Sequence, residues 1–93
     1  MTWSVLQTRR FARQYKKLQR NIISEVDHAV EHISTAPTIL GQRKNGDLAD
    51  LYVYKFHANG QLYLLGYSCD ESVRLIYLES VGSHENFYRD IKR

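Results

Sequence analysis

Between Arg9 and Arg20 the apolar residues Phe11, Tyr15 and Leu18 recur at i, i+4 and i+7, while Arg9, Arg10, Arg13, Lys16, Lys17 and Arg20 fall on the other side of the helical wheel. That period predicts an amphipathic helix with a basic back. Asn21 is placed to cap a second helix, in which Ile22, Val26, Ala29, Val30 and Ile33 keep the same spacing. Ala36-Pro37 should end it, because the residue before a proline is pushed out of the α region. Two helices so closely joined predict an antiparallel hairpin. Ahead of them, Trp3 to Leu6 is short and apolar enough for an edge strand.

Residues 38–50 lose this periodicity and hold Gly41 and Asn45-Gly46-Asp47, so they read as a loop carrying Arg43 and Lys44. Beyond it the pattern is that of strands. Leu51 to His57 is rich in Tyr, Val and Phe, Asn59-Gly60 signals a tight hairpin, and Leu62 to Ser68 follows. Asp70-Glu71-Ser72 makes the next turn and Val73 to Val81 the last strand of a meander. A two-residue hairpin loop pairs His57 with Leu62, and a loop one residue longer pairs it with Tyr63; the sequence leaves both registers open. The expected fold is α+β, in the order β-α-α-β-β-β-α, with a mostly antiparallel sheet and the helical hairpin on one face. Ninety-three residues make a single domain, residues 1–93. Tyr52, Tyr54, Tyr63, Tyr67 and Tyr77 all fall in strands, too many for one core, so some rings should line the other face.

Charge sharpens the picture. The net charge is +3, and residues 1–20 carry six cations and no acid, whereas the second helix carries Glu25, Asp27 and Glu31 without Lys or Arg. Such a basic face suits a polyanion. His28 and His32 lie beside those acids and are read as part of a solvated face. A single cysteine, Cys69, fits a reducing compartment, and with scattered histidines it gives no zinc-ligand spacing, so neither a metal nor a cofactor is expected. Met1 to Leu6 is too short for a signal-peptide core and no apolar run would span a bilayer; the expectation is a cytoplasmic protein without a membrane partner.

The C-terminal run Gly82-Ser83-His84-Glu85-Asn86-Phe87-Tyr88-Arg89-Asp90-Ile91-Lys92-Arg93 places an imidazole, two aromatics and three cations where a strand gives way to a short helix. Ser83 is the expected N-cap, with Glu85 at the positive end of the helix dipole. A basic chain that presents these groups together reads as one that handles RNA.

The element order, the basic first helix, the stretch Leu48-Ala49-Asp50-Leu51-Tyr52-Val53-Tyr54-Lys55-Phe56 and the Gly-Ser-His-x-x-Phe-Tyr ending at residues 82–88 together resemble the RelE/ParE superfamily of bacterial toxins from type II toxin–antitoxin systems. The ending is similar to that of YafQ-like ribonuclease toxins. The resemblance covers the whole chain. It implies an endoribonuclease that needs no metal, cleaves ribosome-bound mRNA, inhibits translation and is neutralised by a cognate antitoxin. In that chemistry the ribose 2′-OH attacks the adjacent phosphate, which calls for a base, an acid and cations around the phosphorane. By resemblance, His84 matches the terminal histidine, Lys55 the basic residue of the first hairpin strand, and Tyr88 or Phe87 the terminal aromatic. His57, two residues beyond Lys55 and on its face, is the further catalytic candidate. Many relatives carry an arginine where this chain has Tyr63, which leaves Arg43, Lys44 or Arg89 as the substitute phosphate ligand, with Tyr63 itself among the expected RNA contacts. Arg13 and Lys17 are assigned to ribosomal RNA or to an acidic antitoxin segment. Two other classes stay open: a ParE-like toxin directed at DNA gyrase, which needs no acid–base pair, and a module that only binds RNA or antitoxin.

Overall fold

The computed structural model describes residues 2–44, 46 and 50–91. Asn45 and Asp47 of the expected loop, Leu48 and Ala49 of the family-like stretch, and the terminal cations Lys92 and Arg93 lie outside the described residues. Five strands form one sheet in the order β1-β5-β4-β3-β2. They are β1 (Ser4–Gln7), β2 (Gln42–Arg43), β3 (Tyr52–Ala58), β4 (Gln61–Asp70) and β5 (Leu75–Ser83). β1 is an edge strand and pairs in parallel with β5, while the other pairings are antiparallel.

The first helix, α1 (Arg9–Lys16), is shorter than its charge pattern predicts. Thr8 caps it by accepting the Phe11 N–H at 3.2 Å. Residues 17–19 turn the chain, so Arg20 opens α2 (Arg20–Ile33) rather than ending α1. Asn21 is not its cap. Gln19 holds that place through its carbonyl, which accepts the Ile22 and Ile23 N–H groups. The Tyr15 hydroxyl donates to Asp27 Oδ1 at 2.6 Å, and Phe11 lines one cleft with Val30 and Ser34 further along α2, so the two helices fold back as a hairpin. Pro37 does not merely stop α2. It is the first residue of a four-residue helix, α3 (Pro37–Leu40), inside the segment expected to be a loop, and β2 follows.

α1 and α2 bury Phe11, Ile22, Val26, Ala29 and Ile33 against Leu65, Tyr67, Ile76, Leu78 and Val81 on one face of the sheet. In β5 the inward positions run Ile76, Leu78, Val81, because a bulge near Glu79 and Ser80 shifts the register against Gly66 and Tyr67. The opposite face is covered in part by α4 (His84–Ile91), whose Phe87 joins Leu51, Val53 and Leu64 in a second, smaller core. Phe87 lies over Gly66. A Cβ at that position would stand 2.7 Å from its Cζ, which explains a glycine in mid-strand.

The hairpin between β3 and β4 settles on the two-residue loop, with His57 opposite Leu62. Asn59 and Gly60 take φ of 53° and 75°, the left-handed pair that a type I′ turn requires. This register puts Tyr52, Tyr54, Tyr63 and Tyr67 on the helical-hairpin face, where Tyr52 stacks on Tyr67 and Phe56 on both Tyr54 and Tyr63. The aromatic sheet surface expected to be open is thus mostly covered, and Tyr77 alone of the five strand tyrosines is exposed. Tyr67 donates to the Pro37 carbonyl at 2.7 Å, and burial pushes its hydroxyl well above the usual phenol range.

Burial, aided by the charge of Glu71, pushes the Cys69 thiol up to about 11. Only roughly one thiol in a thousand is then ionised at pH 8, too few for a reactive cysteine. Alkylation by iodoacetamide should therefore be slow in the folded chain, rise steeply towards pH 11 and match free cysteine only after denaturation.

Candidate active site

The face that carries α4 is where the candidate residues gather. Alternation along β3 sends Val53, Lys55 and His57 to this side, and Val53 is covered by α4 while Lys55 and His57 stay exposed. Directly across the ladder stand Leu64, opposite Lys55, and Leu62, opposite His57. On the far side of β4, Tyr63 pairs with Ser83, the last residue of β5, so the chain enters α4 beside Leu62. His84 is the first residue of α4 and lines a shallow cleft of about 240 Å³ with Gln61, Leu62, Ser83 and Glu85. Leu62 thus stands between the two histidine positions, opposite His57 on the ladder and beside His84 in the cleft. Their backbones lie about 10 Å apart, two strand spacings, a gap that side chains on either side of one phosphodiester can bridge.

Tyr88 follows His84 by one helical turn and meets its ring edge-on, with centroids 5.9 Å apart. It is half-buried against the second core, and the Lys44 Nζ lies over its ring, 5.7 Å from the centroid. Lys44 is held there by its backbone, which donates to the Leu51 carbonyl at 2.8 Å. The strip from His57 through Lys55 and Leu62 to His84, Tyr88 and Lys44 combines proton-transfer groups, cations and an apolar floor.

Other residues assigned from the sequence are placed differently. Phe87 is 1% exposed and anchors α4, so it offers no ring to a base. Tyr63 points to the helical-hairpin face, opposite Lys55 and His57, because the two-residue loop fixes that register. Arg43 is engaged by Asp50 at 2.8 Å on an exposed edge. Arg89 is exposed on α4, bonded to Asn86 at 3.0 Å and 3.6 Å from Asp90. Arg13 and Lys17 line a separate cleft with Arg10, Gln14 and Asp90, between α1 and the end of α4. His28 and His32 are exposed on α2, with His32 tilted against Tyr54. Ser83 makes no capping side-chain bond among the described residues, and serves instead as the final residue of β5. Sequence reasoning missed Leu62 and Gly66; the mid-strand glycine was the available signal for a helix lying close.

The chain is thus a small α+β domain, a sheet with a helical hairpin on one face and, on the other, a histidine-bearing helix beside the strand lysine Lys55. Over residues 5–92 the chain matches the family described as ParE-like toxin of type II bacterial toxin–antitoxin system, and it belongs to that family. Its fold is RelE-like. It is similar to a chain of the RelBE2 toxin–antitoxin complex of Mycobacterium tuberculosis, with a TM-score of 0.80 at 20% identity over 90% of this chain and 100% of that one. The isolated RelE toxin of E. coli is similar at a TM-score of 0.71 and 19% identity, over 98% and 97% of the two chains. A chain of the archaeal RelE–RelB complex of Pyrococcus horikoshii follows at 0.62 and 16%, over 89% and 96%. No curated protein matches the chain. Among the described residues no helix is long and apolar enough to cross a membrane.

Proposed function

We propose that this toxin is an endoribonuclease that cleaves mRNA on the ribosome and so inhibits translation. The observation that carries the reading is the placement of His57 and His84 on either side of Leu62, with Lys55 two residues back along β3 on the same face as His57. In the proposed reaction the 2′-oxygen forms a bond to the adjacent phosphorus as the bond to the 5′-oxygen breaks. One imidazole takes the 2′-OH proton, the other protonates the leaving oxygen, and Lys55 stabilises the added negative charge of the phosphorane. The products are a 2′,3′-cyclic phosphate and a 5′-hydroxyl, and side chains alone fill every role. Tyr88, steadied by Lys44, positions a base or phosphate.

The test is a translation reaction with and without purified protein, followed by mapping of mRNA 5′ ends. Cuts within codons that appear only with the protein support the reading. Intact mRNA with inhibited DNA supercoiling would assign it to the gyrase-directed branch, and neither effect would leave a binding module.

Arg13 and Lys17 belong to binding rather than chemistry in this reading. Arg13→Ala and Lys17→Ala should weaken ribosome binding and each lower the log–log salt slope by about 0.7 to 0.9. Single-turnover cleavage at saturating ribosome should stay at the wild-type rate.

The partner that silences the toxin is a cognate antitoxin. Two features support such a partner: the solved relatives include toxin–antitoxin complexes, and a cleft of about 570 Å³ opens beside β1, where the half-buried Trp3, Val5 and Tyr15 offer apolar surface. Asp27 and Glu31 at that cleft ask for basic side chains, while the α1 cations ask for acidic ones.

A further inference from the structure

β1 stops at Gln7, opposite Leu78, yet β5 runs on to Ser83, so residues 79–83 have no strand along their outer edge. Backbone groups on such an edge need other partners when they are buried. The start of α1 supplies them. The Thr8 N–H donates to the Leu78 carbonyl at 3.0 Å, and its hydroxyl donates to the carbonyls of Leu78 and Glu79 at 3.1 and 3.3 Å. Two turns later, Gln14 Oε1 accepts the Val81 N–H at 2.9 Å and the Ser80 hydroxyl at 3.1 Å. Ser80 is fully buried and Val81 nearly so, and both lie at the bulge where the strand changes phase.

We propose that Gln14 is a positioning residue for His84: its side-chain carbonyl replaces the missing strand beside Ser80 and Val81 and thereby fixes the junction from β5 into α4. Only Gly82 and Ser83 separate Val81 from His84, so any rotation of the strand at the bulge is passed to the imidazole. Without the acceptor, a buried N–H and a buried hydroxyl are left unpaired, and the strand relaxes to satisfy them. Gln14 also lines the cleft shared by Arg10, Arg13, Lys17 and Asp90, which places it beside the far end of α4 as well. The kinetic consequence rests on the ribonuclease reading; the positional one does not.

Gln14→Leu keeps the bulk and removes the acceptor, and Gln14→Glu keeps an acceptor oxygen. In the full chain, Gln14→Leu should speed amide exchange at Val81 by at least about tenfold as the local edge opens. The ring resonances of His84 should shift while those of His28 and His32 stay in place. Single-turnover cleavage of programmed ribosomes should fall by about 10- to 100-fold, as expected for a misplaced reacting group. Ribosome affinity should hold within about threefold, and Gln14→Glu should restore cleavage to within about threefold of wild type. Should Gln14→Leu not fold, Gln14→Met supplies the same comparison. Unchanged Val81 exchange and His84 resonances in a folded variant lacking the acceptor would overturn the proposal, as would equal losses in Gln14→Leu and Gln14→Glu. If wild-type protein cleaves no mRNA, the ribonuclease reading fails, and the exchange and resonance measurements still decide what Gln14 does.

Discussion

His84→Ala and Lys55→Ala should each lower single-turnover mRNA cleavage by about 10² to 10⁴, the usual cost of losing a positioned proton-transfer or charge-stabilising group. Both side chains are exposed, so neither truncation opens a cavity, and stability should stay within about 0.5 kcal/mol of wild type. Ribosome binding should fall far less than cleavage, because the interactions lost are strongest in the transition state. Tyr88→Ala should affect both, since it removes a docking surface and also the ring that meets His84 edge-on. Programmed ribosomes mixed with each variant give the measurement. Wild-type rates for His84→Ala and Lys55→Ala together would move the chemistry elsewhere on the surface or remove it altogether.

Phe87→Ala should detach α4. Its ring fills the second core with Leu51, Val53 and Leu64, and truncating such a buried Phe to Ala costs about 3 to 5 kcal/mol. An eight-residue helix does not hold its shape alone in water, so it should melt once the anchor goes. The main core belongs to α1, α2 and the other face of the sheet, and should survive. Amide exchange should therefore become fast across residues 84–91 while Leu65, Ile76 and Leu78 stay protected, and cleavage should vanish with His84 and Tyr88 displaced. Gly66→Ala attacks the same contact from below, at about 1 to 3 kcal/mol for the overpacking. Wild-type protection in α4 of Phe87→Ala would mean that other contacts hold it.

The periodic segments were the legible ones. Of the inward positions of α2 read from Ile22, Val26, Ala29, Val30 and Ile33, all but the half-buried Val30 are buried, and the hairpin follows from Asn59-Gly60, because those signals are local. The break between α1 and α2 was not, since the cations run on through residues 16–20 without marking where the backbone turns. α3 was hidden for a related reason: four residues are too few to display a period, and Pro37 reads equally as a stop or as a first helical residue. Which face Tyr63 and Tyr67 share depended on the hairpin register, and one residue of slip along β4 would have moved both to the side of Lys55 and His57. That register decides the candidate site, placing Lys55 and His57 with α4 and sending Tyr63 away. The burial of Phe87 beside the half-exposed Tyr88 needed the glycine beneath it, a contact between residues 66 and 87 that no local pattern displays.

Trp3 is the sole tryptophan of the chain, and it stands in the large cleft beside β1 with Val5, Phe11 and Tyr15. An indole there is half-buried, with room for its emission to change as water is excluded. The molecule accordingly carries a built-in optical gauge, remote from the imidazoles of the other face. A tryptophan-free ligand seating in that recess would register as a blue shift, whereas RNA engaging His57 and His84 would leave the signal quiet, so the two events can be followed separately in one cuvette without labels.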